Sequence, residues 1–142
     1  MSVAKSLPHD SGPLHVSGVA RYIDDIPTPA NTLHLAFGLS TIARGRITAM
    51  DLSAVRSAPG VVMVITAEDM PFANDASPSA HDEPILSDGA VHYVGQQIFL
   101  VAATSHHAAR RAARKAKITY AEEAPILTID EARSEEHTSE LQ

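Results

Sequence analysis

By residue type, His81, Asp82 and Glu83 are the side chains in this sequence best suited to hold a metal ion. An imidazole nitrogen beside two carboxylates would suit a divalent cation such as zinc. Their spacing argues against it. Consecutive residues on an extended chain point to opposite sides, and Pro84 holds Glu83 extended. Asp24 and Asp25 raise a similar question, because adjacent carboxylates could share a proton or a cation. They too diverge on extended backbone, and Pro27 just beyond them points to a turn. His106 and His107 fall in a first helical turn, where neighbours project about 100° apart and do not meet on one ion. His34 stands alone, and solvation or a hydrogen bond accounts for it. Gln96, following Gly95, could hydrogen-bond a neighbouring loop or touch a cofactor in a larger protein; the loop is preferred. No nucleophile, base and orienting group converge. No catalytic, cofactor-binding or metal-binding residue is therefore assigned.

The elements that would position these residues centre on 91–120, VHYVGQQIFLVAATSHHAARRAARKAKITY. Gln97–Ala103 is an almost unbroken apolar run, the pattern of a strand covered on both faces. Ser105 can cap a following helix. Ala108, Ala109, Ala112, Ala113 and Ala116 form one small-residue stripe on that helix, which lets it lie close on a sheet. Arg110, Arg111, Arg114 and Lys115 take the other side as a solvated face. A strand over Ile118–Tyr120 completes the unit, and a strand–helix–strand of this kind favours parallel pairing with a right-handed crossover.

Upstream, residues 1–31 form an extended arm whose prolines and glycines work against helix. Thr32–Leu39 alternates, with Leu33, Leu35, Phe37 and Leu39 on one face and His34 on the other, predicting a half-buried strand with the apolar face inward. Arg46–Met50 is a further strand. Asp51 or Ser53 caps a short helix over Leu52–Ala58, closed by Pro59 and Gly60. Val61–Ile65 is a fully apolar strand. The run 46–66 thus echoes the plan of 97–120. Residues 66–91, after one helical turn over Ala67–Met70, form an irregular connection long enough to suggest function or packing on something else. Thr128–Glu131 begins a further helix.

With 142 residues, 44% of them hydrophobic, the chain has the length of one domain plus an arm. A net charge of −6 argues against a nucleic-acid partner. The absence of cysteine excludes disulfides, thiolate metal sites and thiol nucleophiles. No apolar run approaches the roughly 20 residues of a membrane span, and residues 1–10 lack a signal-peptide core. The default location is the cytoplasm. The last ten residues, 133–142, read RSEEHTSELQ and resemble the in-frame translation of a sequencing-library adapter, so they are left out of the fold.

Taken together, SGVARYIDDIP (17–27), Pro59-Gly60-Val61, Asp82-Glu83-Pro84, Gly95-Gln96 and the alanine-rich helix closely resemble the start of the molybdopterin-binding subunits of bacterial xanthine dehydrogenases, in the xanthine dehydrogenase/aldehyde oxidase family. The similarity spans nearly all of residues 3–132. It implies an α+β fold, the α/β hammerhead, with a small mixed sheet and two helices over residues 32–132. It also implies an oxidoreductase that hydroxylates hypoxanthine or xanthine. In such an enzyme a molybdenum-pyranopterin sits in the full-length subunit, and iron–sulfur clusters and FAD sit on other subunits. This segment is expected to bind none of them and to be inactive alone. Its partners would be the remainder of its own subunit and the iron–sulfur/FAD subunit, with neither nucleic acid nor membrane. A related aldehyde or heteroaromatic hydroxylase, a freestanding non-catalytic interaction module, and a small metal-binding protein using His81, Asp82 and Glu83 are the competing readings.

Overall fold

The computed structural model of the protein describes residues 6–134. Two compact units divide the chain, meeting at Thr32 and Leu33. The first holds a short helix, α1 (Gly12–Val16), and a 3-10 turn over Ile23–Asp25. Helix α1 corrects the expectation of a helix-free arm. Pro13 lies in its first turn, where a missing N–H breaks no hydrogen bond. The Tyr22 amide donates to Asp25 Oδ2 at 3.0 Å, so the Asp24-Asp25 pair does form the turn expected before Pro27.

The second unit runs β1 (His34–Leu39), β2 (Gly45–Asp51), α2 (Ser53–Arg56), β3 (Val61–Ile65), β4 (Ala90–Val91), β5 (Gln97–Ala103), α3 (His106–Ala113), β6 (Lys117–Glu122) and α4 (Ile129–Ser134). The α+β class holds, but the sheet arrangement differs from the expected single mixed sheet. There are two three-stranded sheets, β1-β5-β3 and β4-β2-β6, and every pairing in them is antiparallel. Strand β6 does not run parallel beside β5; it pairs with β2 in the other sheet. The strand–helix–strand units β2-α2-β3 and β5-α3-β6 each cross from one sheet to the other in opposite senses. Each lends a strand to its counterpart, β3 to β5 and β2 to β6. The echo in the sequence is therefore an interlock, and neither unit closes a parallel pair of its own.

The core lies between the first sheet and its helices: Val55 from α2, Val64 from β3, Phe99, Val101 and Ala103 from β5, and Ala109 and Ala112 from α3. Ser105 Oγ accepts from the Ala108 amide at 3.1 Å, the cap predicted for α3. The alanine stripe faces inward as expected, with Ala109 and Ala112 buried and Ala108, Ala113 and Ala116 packed beside them. Helix α2 is shorter than predicted, and the Asp51 carboxylate receives the Ser53 amide at 2.9 Å.

Strand β1 is inverted relative to the expectation. Its Ala36–Gly38 side meets the core, while Leu35, Phe37 and Leu39 are exposed. Close approach explains this. A Cβ built on Gly38 would lie 2.0 Å from Cε1 of the fully buried Phe99 ring, so only glycine fits opposite it. Strand β3, fully apolar in sequence, is an edge strand with only Val64 buried.

Gly38→Ala is expected to destabilise the second unit by about 1–3 kcal/mol through overpacking. Adding Phe99→Leu should recover part of that loss relative to Phe99→Leu alone. Urea denaturation of the two single variants and the double variant measures the coupling.

Candidate functional site

Gln96 is a buried polar residue, only 4% exposed, and its side chain is fully engaged. Its Oε1 accepts from the His92 amide at 2.7 Å, and its Nε2 donates to the Ala90 carbonyl at 3.2 Å. The side chain thus pairs with the backbone across residues 90–92 as a neighbouring strand would. Its main chain is tied to Ser40: the Ser40 amide donates to the Gln96 carbonyl at 2.9 Å, and the Gln96 amide to Ser40 Oγ at 3.1 Å. Ser40 Oγ in turn donates to the Tyr93 carbonyl at 2.6 Å. Gly95, at φ +89°, makes the bend that brings Gln96 back under this turn. The loop-bonding role read from the sequence for Gln96 is what the geometry contains. Ser40 was not singled out in the sequence, because a serine after a strand looks like any turn residue.

His81 is engaged, though not with its neighbours Asp82 and Glu83. Its Nδ1 meets Asp75 Oδ2, and its backbone amide donates to Ser77 Oγ at 2.5 Å. The His81 backbone is left-handed at φ 57°, which turns the ring back toward Asp75. Glu83 contributes through its backbone, accepting the Ala76 amide at 2.8 Å. The long connection is therefore stitched to itself. Asn74 closes it further, donating to the Leu86 carbonyl at 2.7 Å and accepting the Leu86 amide at 2.9 Å, while the Leu86 side chain is buried.

The remaining candidates stay apart. Asp24 and Asp25 lie in the first unit. His106 and His107 are both exposed on α3, and the His34 ring lies edge-on to His106 with centroids 6.5 Å apart. Among the described residues no three His, Cys, Asp or Glu side chains gather at ion-binding range. Both ends of the Gln96 amide are engaged within the chain.

What the second unit does present is a bare apolar sheet face. Register puts Leu35, Ala102 and Met63 in one row, and Phe37, Leu100 and Ile65 in the next, all on the side away from α3. Leu35, Met63 and Phe37 are 54%, 50% and 45% exposed, a contiguous patch that water covers poorly.

Two interlocked strand–helix–strand units across paired antiparallel sheets define an α+β domain. The profile described as "Aldehyde oxidase and xanthine dehydrogenase, a/b hammerhead domain" matches residues 17–124, and the chain belongs to that family. It is 43% identical to xanthine dehydrogenase of Oryza sativa subsp. japonica over 131 residues, 92% of this chain and 10% of that protein. It is equally 43% identical to aldehyde oxidase 4 of Mus musculus, over 98% of this chain and 10% of that one. Among solved structures, the aldehyde oxidoreductase from Desulfovibrio desulfuricans ATCC 27774 superposes with a TM-score of 0.77 at 28% identity, covering 92% of this chain and 16% of the other. The chain thus spans about a tenth of the curated relatives it matches.

Gln96→Ala leaves the His92 amide and the Ala90 carbonyl without their partner, at a cost of about 1–3 kcal/mol. The expected result is faster hydrogen exchange across residues 90–96, with α3 far less affected.

The Asp75 carboxyl is held below its ordinary value of 3.8 by the His81 ring first and then by the Ser77 amide. A carboxyl with a lowered folded pKa adds stability above its unfolded pKa, and that stability is lost as pH falls through the lowered value. Protection of residues 75–83 should therefore hold at neutral pH and fade on acidification below 3.8. Asp75→Asn should remove that acid transition, as exchange measured across the acid range would show.

Proposed function

We propose that the chain is the N-terminal supporting domain of the molybdenum subunit of a xanthine dehydrogenase. In this reading the complete enzyme hydroxylates hypoxanthine and xanthine to urate. The molybdenum-pyranopterin is held by later parts of the subunit, and iron–sulfur clusters and FAD by a partner subunit. This segment carries no catalytic residue and serves to position the rest. Residues 133–142 are no part of the native enzyme, and the enzyme works in the cytoplasm.

The observation that carries this reading is the open face of the first sheet, with Leu35, Phe37 and Met63 about half exposed. Leaving such a patch in water forgoes burial worth roughly 25 cal/mol per Å². It suits a domain whose second side is covered by further chain. The match to about a tenth of much longer relatives supports the same view. An aldehyde hydroxylase is the second reading, because an aldehyde oxidase is as similar to this chain as a xanthine dehydrogenase is.

The test is to sequence the gene across the junction at Arg133, express the complete reading frame with its neighbouring subunit genes, and assay xanthine, hypoxanthine and aldehydes. Xanthine oxidation by the full assembly, with none by the 142-residue chain, is the expected result. Preference for aldehydes would select the second reading. A native stop codon near residue 133, or xanthine turnover by the short chain, would overturn both.

The 142-residue chain should also bind a hydrophobic dye such as ANS while keeping a cooperative unfolding transition. Replacing Leu35, Phe37 and Met63 by Thr should reduce that fluorescence several-fold without loss of secondary structure by circular dichroism.

A further inference from the structure

The charge on α3 runs against the charge of the chain. From His106 to Lys117 there is no acidic residue, and Arg110, Arg111, Arg114, Lys115 and Lys117 are all exposed. Yet the chain as a whole carries −6. Among the described residues the one Lys or Arg ion pair is Arg44 with Glu123; Lys117, on β6, stands opposite Asp51 in the sheet register and helps to lower its carboxyl pKa. Arg110 and Arg114 stand one turn apart, as do Arg111 and Lys115, so each pair repels along the helix. The favourable interaction of cations with the C-terminal end of a helix offsets this only within the last turn.

Shape joins charge at this place. A cleft of about 480 Å³ opens between the C-terminal half of α3 and the strands beside it, with Arg110 and Arg114 on the helix wall and Leu39, Ile118 and Tyr120 among its lining. A second concavity of about 600 Å³ runs along the same helix past Arg110, Arg114, His106 and His107. The two arginines therefore form a shared rim between a cleft with an apolar floor and a cationic groove. No acidic side chain lines either one.

We propose that this rim is a docking site for an acidic segment of a separate partner polypeptide, which inserts an apolar side chain into the cleft and sets flanking carboxylates against Arg110 and Arg114. Guanidinium groups favour carboxylates through paired hydrogen bonds, and the apolar lining rewards the inserted side chain. A nucleic acid is a poor occupant, because its backbone carries no aliphatic side chain to fill the cleft and its phosphates would extend past the few cations of the rim. The cleft lies against α3, and Phe37 at the margin of the exposed sheet face shares its lining.

The probe is a fluorescein-labelled peptide, Asp-Glu-Leu-Glu-Asp, titrated with the intact chain and followed by anisotropy. The proposal predicts saturable binding that weakens at least ~10-fold, or ~1.4 kcal/mol, in the double variant Arg110→Glu/Arg114→Glu. It predicts weaker binding of the Asp-Glu-Ser-Glu-Asp peptide, and loss of binding when salt rises from about 0.05 M to about 0.5 M. Both arginines are exposed, and circular dichroism verifies that the variant is folded. Arg21→Glu, remote from the rim in sequence, is the matched charge control and should bind as the parent does. The proposal is overturned if no saturable binding appears, if the rim and control variants weaken it equally, if serine replaces leucine without loss, or if a single-stranded oligonucleotide or inorganic phosphate competes as well as the unlabelled peptide.

Discussion

How closely α3 can approach the first sheet sets the rest of the second unit. Among the described residues Phe99 is the largest fully buried side chain, and its ring occupies the space where Gly38 has no Cβ. Ala109 and Ala112 complete the contact with side chains that keep the helix low. Gly60 repeats the same device at the other end. At φ +85° it closes the turn before β3, and a Cβ there would come within 2.9 Å of Thr104 Oγ1 and 3.2 Å of Ala108 Cβ. Small residues at these points are thus a packing requirement. Dispersion and burial depend on that separation, and a single added methyl is felt in a close-packed core.

That close contact consumes one side of the first sheet and leaves the other partly open at Leu35, Phe37 and Met63. Strand β5 is the central strand, and it is apolar on both sides, with Phe99 and Val101 toward α3 and Leu100 and Ala102 away from it. Such a strand is suited to a sheet covered twice. Among the described residues the second cover is partial: Ile98 and Ala102 are buried, while Leu35, Phe37 and Met63 stay about half exposed. The interlocked connections place both helices on the same side: α2 and α3 both contact the first sheet's strands, and each links a strand of one sheet to a strand of the other. The Gln96–Ser40 network performs a different task, tying the turn before β5 to the chain after β1 through a buried amide and a buried hydroxyl. A buried polar network with each group partnered fixes one arrangement of these loops in preference to others.

The positions of most elements were legible in the sequence, because an apolar run, a capping serine and an alanine stripe are local signals. Ser105, the α3 stripe and the limits of β5 follow from them directly. Pairing was not legible. Whether β5 and β6 share a sheet depends on what β2 offers to β6, a contact more than sixty residues distant, between Ile47 and Tyr120 for example. The facing of β1 was misread for a physical reason. Alternation identifies two faces, but it assigns the core to the more apolar one, and here the helix demanded the smaller one, with Ala36 and Gly38. Leu35 and Phe37 were left outside. The partners of His81 were also hidden, since Asp75 meets it only because its own backbone takes a left-handed conformation.

The central claim is that the face bearing Leu35, Phe37 and Met63 is an internal surface of a larger enzyme. Hydroxyl-radical footprinting read by mass spectrometry addresses it most directly, because thioether and aromatic side chains react in proportion to their exposure. Met63 and Phe37 should label readily in the 142-residue chain and be strongly protected in the complete, cofactor-loaded enzyme. Equal labelling of both residues in the two samples would contradict the account.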